Sequence, residues 1–202
     1  IDISNDERVI NDFVKLQEFK YVFDFTNEKS QYKNREAYIP ISVLKAMQNR
    51  DISLVINTKG FSESQMFTEG FSYTDFTGYN NNRVNAKAFD NADYQRLTRA
   101  GGVTGLIVSV NDDNSIYPIK IDSKELAARF TTKYGDVATT YLEDYVDVSF
   151  DTSNATYFSK NTPVGMTYDA SSKTWKTAKD NYSLGNTLIF KTGKMGKVGA
   201  SY

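Results

Sequence analysis

Neither cysteine nor histidine occurs in the 202 residues. Their absence removes cysteine nucleophiles, thiolate metal sites, Ser-His triads and histidine-bound zinc or iron in one step. It does not exclude an extracellular home, because a chain of this length buries a core without disulfide staples. A surplus of positive charge is missing too. The net charge is −1 and no window forms a basic stripe, which argues against general nucleic-acid binding. The tail KTGKMGK is interrupted by glycine and reads as solvated surface. No apolar run approaches the ~20 residues that a membrane-crossing helix needs. The chain starts at Ile1 rather than Met, so the expectation is a processed or excised segment whose signal peptide has been removed.

What is present leans towards β structure. There are 14 Tyr and 13 Phe against one Trp, and Tyr, Phe, Thr and Val suit half-buried pleated surfaces. Charged residues make up 24 %, which fits a folded domain rather than disorder. The length accommodates one large domain or two small ones.

The stretch AYIPISVLKAMQNRDISLVINT, residues 37–58, changes rhythm twice. Tyr38, Ile39 and Ile41 around Pro40 read as extended chain, and Pro40 withdraws a ladder donor, so this strand is an edge or ends there. Ser42 is expected to cap a short helix carrying Val43, Leu44, Ala46 and Met47. QNRD stops it, and Ile52, Leu54 and Ile56 then alternate as a core-facing strand. A helix so placed lets the chain step from one sheet to another while Leu44 and Met47 stay inside.

The rest follows the same logic. KYVFDFT sets Tyr21, Phe23 and Phe25 on one face of a strand. MFTEGFSYTDFTGYNNNRVNAKAF predicts two strands, one with Phe67, Phe71 and Tyr73, the other with Val84, Ala86 and Ala88, and GYNNN is the turn between them. NADYQRLTRAGG reads as a short helix ended by Gly101. In GLIVSVNDDNSIYPIKID, Leu106, Val108 and Val110 alternate, NDDN turns, and Ile116 to Ile121 return as a hairpin. SKELAARFTTKYG is expected to be a helix capped by Ser123, TTYLEDYVDVSF a strand, GMTYDASSKTWKTA a hairpin turning at ASSK, and NTLIFKT and KVGASY two closing strands. The sum is a mainly β fold: an Ig-like β-sandwich, or two of them, with a few short helices. The stretch 123–136 marks a weak boundary. It divides a β-rich surface module, 1–125, from a smaller β-rich subdomain packed on it, 126–202, unless the whole is one domain.

Two of these motifs carry a resemblance. YIPISVLKAMQNRDISLVINT followed by GFSYTDFTG resembles a repeated pattern of extracellular modules in clostridial and bacillar cell-surface proteins, whether S-layer-associated or cellulosome-associated. GMTYDASSKTWKTA with NTLIFKTGKMGKVGAS is similar to the closing segment of such modules. Tyr73 stands where they often carry Trp, and Gly199-Ala200 where an aromatic is common; S-layer anchoring repeats are absent. The resemblance implies a bacterial exterior and a β-sandwich. It implies no catalytic residues.

Carboxylates are the remaining acid-base groups. Asp112 and Asp113 fall in a turn, and Glu143, Asp144 and Asp147 on a strand. A glycosidase needs two carboxylates opposed at ~5–9 Å in a cleft, and turn aspartates commonly satisfy local backbone donors. No catalytic residue is assigned, and the chain is expected not to be an enzyme. Calcium is the one cofactor candidate. NDDNS, with Asp112 and Asp113, and FDNAD, with Asp90 and Asp93, cluster oxygen ligands as a hard cation requires, although neither matches an EF-hand and turn formation is the stronger reading. Tyr79, Tyr157, Tyr168, Trp175 and Tyr182 lie in or beside polar turns and are candidates for stacking on sugars; packing competes at each, above all at Trp175. Ile1, Ile3, Val9 and Ile10 are too apolar for a solvated tail. They are candidates for self-assembly by strand addition to a neighbour, against docking on their own domain or a frayed terminus.

The expected function is therefore that of a non-enzymatic extracellular bacterial surface protein, a homo-oligomeric subunit or module of an S-layer-like array or filament. The alternative is a carbohydrate-binding module for cell-wall or plant polysaccharide. Neither nucleic acid nor membrane insertion is expected.

Overall fold

The computed structural model describes residues 1–4, 20–26, 35–59, 79–112, 122–152 and 162–201. Within them the chain forms a two-sheet β-sandwich. In order come β1 (Lys20–Phe25), β2 (Glu36–Pro40), α1 (Ile41–Asn49), β3 (Ser53–Lys59), β4 (Tyr79–Asn85), a 3₁₀ turn (Ala86–Phe89) and α2 (Ala92–Arg99). Then follow β5 (Val103–Asp112), β6 (Asp122–Thr132), β7 (Gly135–Thr139), β8 (Tyr141–Asp151), β9 (Val164–Asp169), β10 (Thr174–Thr177), β11 (Lys179–Leu184), β12 (Thr187–Lys194) and β13 (Gly196–Ser201). One sheet runs β1-β3-β4-β8-β12-β11 and the other β10-β9-β13-β6-β5-β2, with β7 beside the far length of β6. Each sheet draws strands from both sides of residue 125. No helix among the described residues is long and apolar enough to cross a membrane.

The helix between two strands does what its pattern requires. β2 is an edge strand of one sheet and β3 lies inside the other, so α1 carries the chain across the sandwich. Val43, Leu44 and Met47 point inward, and Ile52, Leu54 and Ile56 follow into the core. Pro40 closes the edge strand, where its missing N–H costs no ladder bond. The cap differs from expectation: Pro40 itself occupies the N-cap position, no side chain caps the helix, and Ser42 sits exposed in the first turn.

Three other expectations are corrected. Residues 123–132, read as helix from Glu, Leu, Ala and Arg, are strand β6. Pairing with β5 on one side and β13 on the other overrides helix propensity. Lys124, Leu126, Ala128 and Phe130 all turn to the core, a period-two pattern masked by the neighbouring Ala127. The asparagines of GYNNN form β4 rather than a turn, because Asn80 and Asn82 are buried with partners for their amides: Asp122 Oδ2 at 2.7 Å and the Ile56 carbonyl at 3.3 Å. Ala86 and Ala88 lie in the 3₁₀ turn after that strand. The return strand 116–121 and Phe67, Phe71 and Tyr73 lie outside the described residues.

The core is aromatic at its centre. Phe23, Phe89, Phe130, Phe150 and Phe190 are fully buried, and Phe150 and Phe190 stack with centroids 5.8 Å apart. Along one side Asn181 on β11 reaches across to β9, donating to the Gly165 carbonyl at 2.7 Å and accepting its N–H at 2.8 Å. One side chain thereby replaces a strand partner and ties the two sheets together.

Candidate functional site

Two of the aspartates considered for calcium, Asp90 and Asp93, lie in a hydrogen-bonded cluster at the start of α2. Asn91 caps α2 by accepting the Tyr94 N–H at 2.9 Å, and its amide donates to Thr139 Oγ1 at 2.7 Å and the Tyr141 carbonyl at 2.9 Å. Asp93 accepts from Thr139 Oγ1 at 2.7 Å and pairs with Arg96 at 3.3 Å, and Asp90 accepts from Gln95 Nε2. These groups hold the start of a helix. Asp112 ends β5, with its Cα opposite that of Lys124 on β6; Asp113 lies outside the described residues. Among the described residues no three acidic side chains gather as a cation site.

Of the aromatic candidates, Tyr168 and Trp175 lie on one sheet and Tyr182 on the other. Tyr168 and Trp175 are cross-strand partners in the β9-β10 hairpin and pack edge-to-face at 5.4 Å. Tyr182 lies on the other sheet, on edge strand β11, and is 55 % exposed. Tyr79 begins β4, and Tyr157 lies outside the described residues.

The N-terminus docks on the sandwich. Tyr38 donates its N–H to the Ile1 carbonyl at 2.8 Å, Ile3 donates back to the Tyr38 carbonyl at 3.4 Å, and Asp2 bridges Tyr38 in parallel. Ile3 is buried and Ile1 exposed. The edge beneath is stiffened from the other side: Glu36 on β2 takes a two-pronged contact from Arg129 at 3.0 and 3.3 Å, which raises the Arg129 pKa above its ordinary value. Val9 and Ile10 lie outside the described residues.

Residue pattern alone did not locate a concave feature on the sandwich surface. A groove of about 450 Å³ crosses the outer face of the β1–β11 sheet, and a second of about 260 Å³ adjoins it. Arg83, Asp147 and Lys191 line both. The register explains the row, since Arg83 pairs with Asp147 and Asp147 with Lys191 across three adjacent strands. In the next row Asn81, Ser149, Ile189 and Tyr182 stand side by side. Tyr145 flanks the smaller groove. Among the described residues the Arg83 guanidinium and the Asp147 carboxylate make no hydrogen bond or ion pair, while Lys191 lies 3.9 Å from Asp180. Reading NNNRVN as a strand is the signal that would have exposed this row, because it puts Asn81 and Arg83 on the outer face.

Comparison with protein-family models, with curated proteins and with solved structures found no match to this chain.

Proposed function

We propose that this chain is a non-enzymatic module of an extracellular bacterial surface assembly, and that copies join by strand addition at β2. The observation that carries this reading is the N-terminal tripeptide on the β2 edge. Backbone bonds to Tyr38 give the attachment and a single pocket takes Ile3. Strand addition works this way, with main-chain bonds for affinity and alternate side chains for register. Exchange of the segment between copies costs little in bonding, since the donor's and the acceptor's bonds are the same. Deleting residues 1–10 tests it. The expected result is loss of polymers in sedimentation and electron microscopy, with a monomer that still melts cooperatively. Unchanged assembly, or collapse of the monomer, counts against it.

The groove favours a second reading, glycan binding. Its floor offers an uncommitted guanidinium and carboxylate for hydroxyl groups, with Tyr182 placed to stack on a sugar face. Retention of the protein on polysaccharide gels, weakened by Tyr182→Ala and by Arg83→Ala, supports it. Retention that neither variant changes rules this groove out.

A further inference from the structure

A polar layer lies inside the sandwich where an apolar one would be cheaper. Lys124 and Asp122 on β6 face Thr58 on β3 and Asn80 on β4, and none of the four is more than 2 % exposed. Burial of a lysine and an aspartate is costly unless both are well bonded. Here the Lys124 ammonium nitrogen donates to Thr58 Oγ1 at 2.9 Å, and Asp122 Oδ2 accepts from Asn80 Nδ2 at 2.7 Å. The second arm of the Asn80 amide is held as firmly: Oδ1 accepts the Asp151 backbone N–H at 3.0 Å. These two bonds fix which end of the amide is oxygen and which nitrogen.

The arrangement has the parts of an acyl-transfer site. The Asn80 carbonyl is polarised by a backbone donor, as an oxyanion requires. Its nitrogen, the leaving group, rests on a carboxyl that can carry a proton. Thr58, which holds the amine, is the direct cross-strand partner of Asn80. Such partners have Cβ atoms about 4.5–5.5 Å apart, a step that a lysine side chain covers by changing rotamer. Complete burial favours the neutral, nucleophilic form of the amine.

We propose that Lys124 and Asn80 condense to an intramolecular isopeptide bond, assisted by Asp122, that cross-links the two sheets. The neutral Lys124 amine adds its lone pair to the Asn80 amide carbon, and negative charge gathers on Oδ1 against the Asp151 N–H. Asp122 relays the proton released by the amine to Nδ2. The Cγ–Nδ2 bond then breaks, ammonia departs, and the Asp122 carboxyl ends as it began. No oxidant, reductant or second substrate enters. The inference stands apart from the assembly and glycan readings, because it concerns only the interior.

Mass spectrometry of the purified, denatured chain tests it without any variant. The expected intact mass is that of the sequence less one ammonia, and the expected digest contains a branched peptide joining the segments around Asn80 and Lys124. Lys124→Arg and Asp122→Asn should each restore the full mass and the linear peptides. The full mass for the folded wild-type chain, with Lys124 recovered in a linear peptide, would overturn the proposal. So would an ammonia loss without the branched peptide, which marks a succinimide at an asparagine.

Discussion

Gly165 on β9 lies against the ring of Phe190 on β12, so close that a Cβ at position 165 would stand 2.1 Å from the ring Cδ1. The two residues belong to opposite sheets, and their contact sets how near the sheets approach on the side where Asn181 ties β9 to β11. Gly165→Ala is therefore expected to destabilise the fold by at least about 1–3 kcal/mol, read from urea unfolding. Combined with Phe190→Leu, which removes the obstructing ring edge, the loss should be less than the sum of the two single losses. Additive losses would show that the two residues do not press on each other.

Leu44 and Met47 are fully buried beneath α1. Leu44→Ala is expected to cost about 2–5 kcal/mol, and Met47→Ala a similar amount. Ser42→Ala should change stability by less than about 0.5 kcal/mol, because the exposed serine caps nothing. A large loss at Ser42 would restore it as the cap.

Asn91 serves three partners at once: the Tyr94 N–H, the Thr139 hydroxyl and the Tyr141 carbonyl. Asn91→Ala should cost about 2–3 kcal/mol, a lost cap together with buried groups left unbonded. Asn91→Asp keeps the cap acceptor but loses both amide donors, so thermal melting should place it between wild type and alanine. Equal melting of the two variants would mean the cap contributes nothing.

In the β9-β10 turn Asp169 accepts a 2.5 Å bond from Lys176 and the backbone N–H groups of Ser172 and Ser171. The Lys176 bond first, then the two backbone bonds, hold its carboxyl well below the usual carboxylate range. The folded value lies below the unfolded one, so what the group adds to stability is present above pH ~4 and fades as pH falls through the folded value. The effect on global stability is small because the turn is solvated. A carboxyl NMR titration should show Asp169 still ionised where other aspartates have protonated. An ordinary titration midpoint would mean that the turn network is not formed in solution.

Much of the architecture was legible because burial writes itself into spacing. Tyr21, Phe23 and Phe25, or Leu106, Val108 and Val110, alternate strongly enough to fix a strand and its inner face. The helix at 41–49 and its passage between sheets could be read from Pro40 and the change of period. The candidate grooves could not, because they depend on which strands become neighbours. Arg83, Asp147 and Lys191 lie far apart in sequence, and only the order β4-β8-β12 sets them in one row.

The β class, the crossing helix, the hairpin turning at ASSK and the exclusion of histidine and cysteine chemistry follow from the amino-acid sequence. Each follows from composition or from a local period, and local signals survive in a linear chain. The tertiary structure alone decided that SKELAARF is a strand and that NNN is not a turn. Helix propensity at 123–130 and turn propensity at 80–82 are weak preferences, of a fraction of a kcal/mol per residue. Ladder bonds on both sides of β6, and the buried partners of Asn80 and Asn82, outweigh them. The same long-range pairing brought Lys124, Asp122, Thr58 and Asn80 into one buried layer, since such a layer exists only once two sheets close over it.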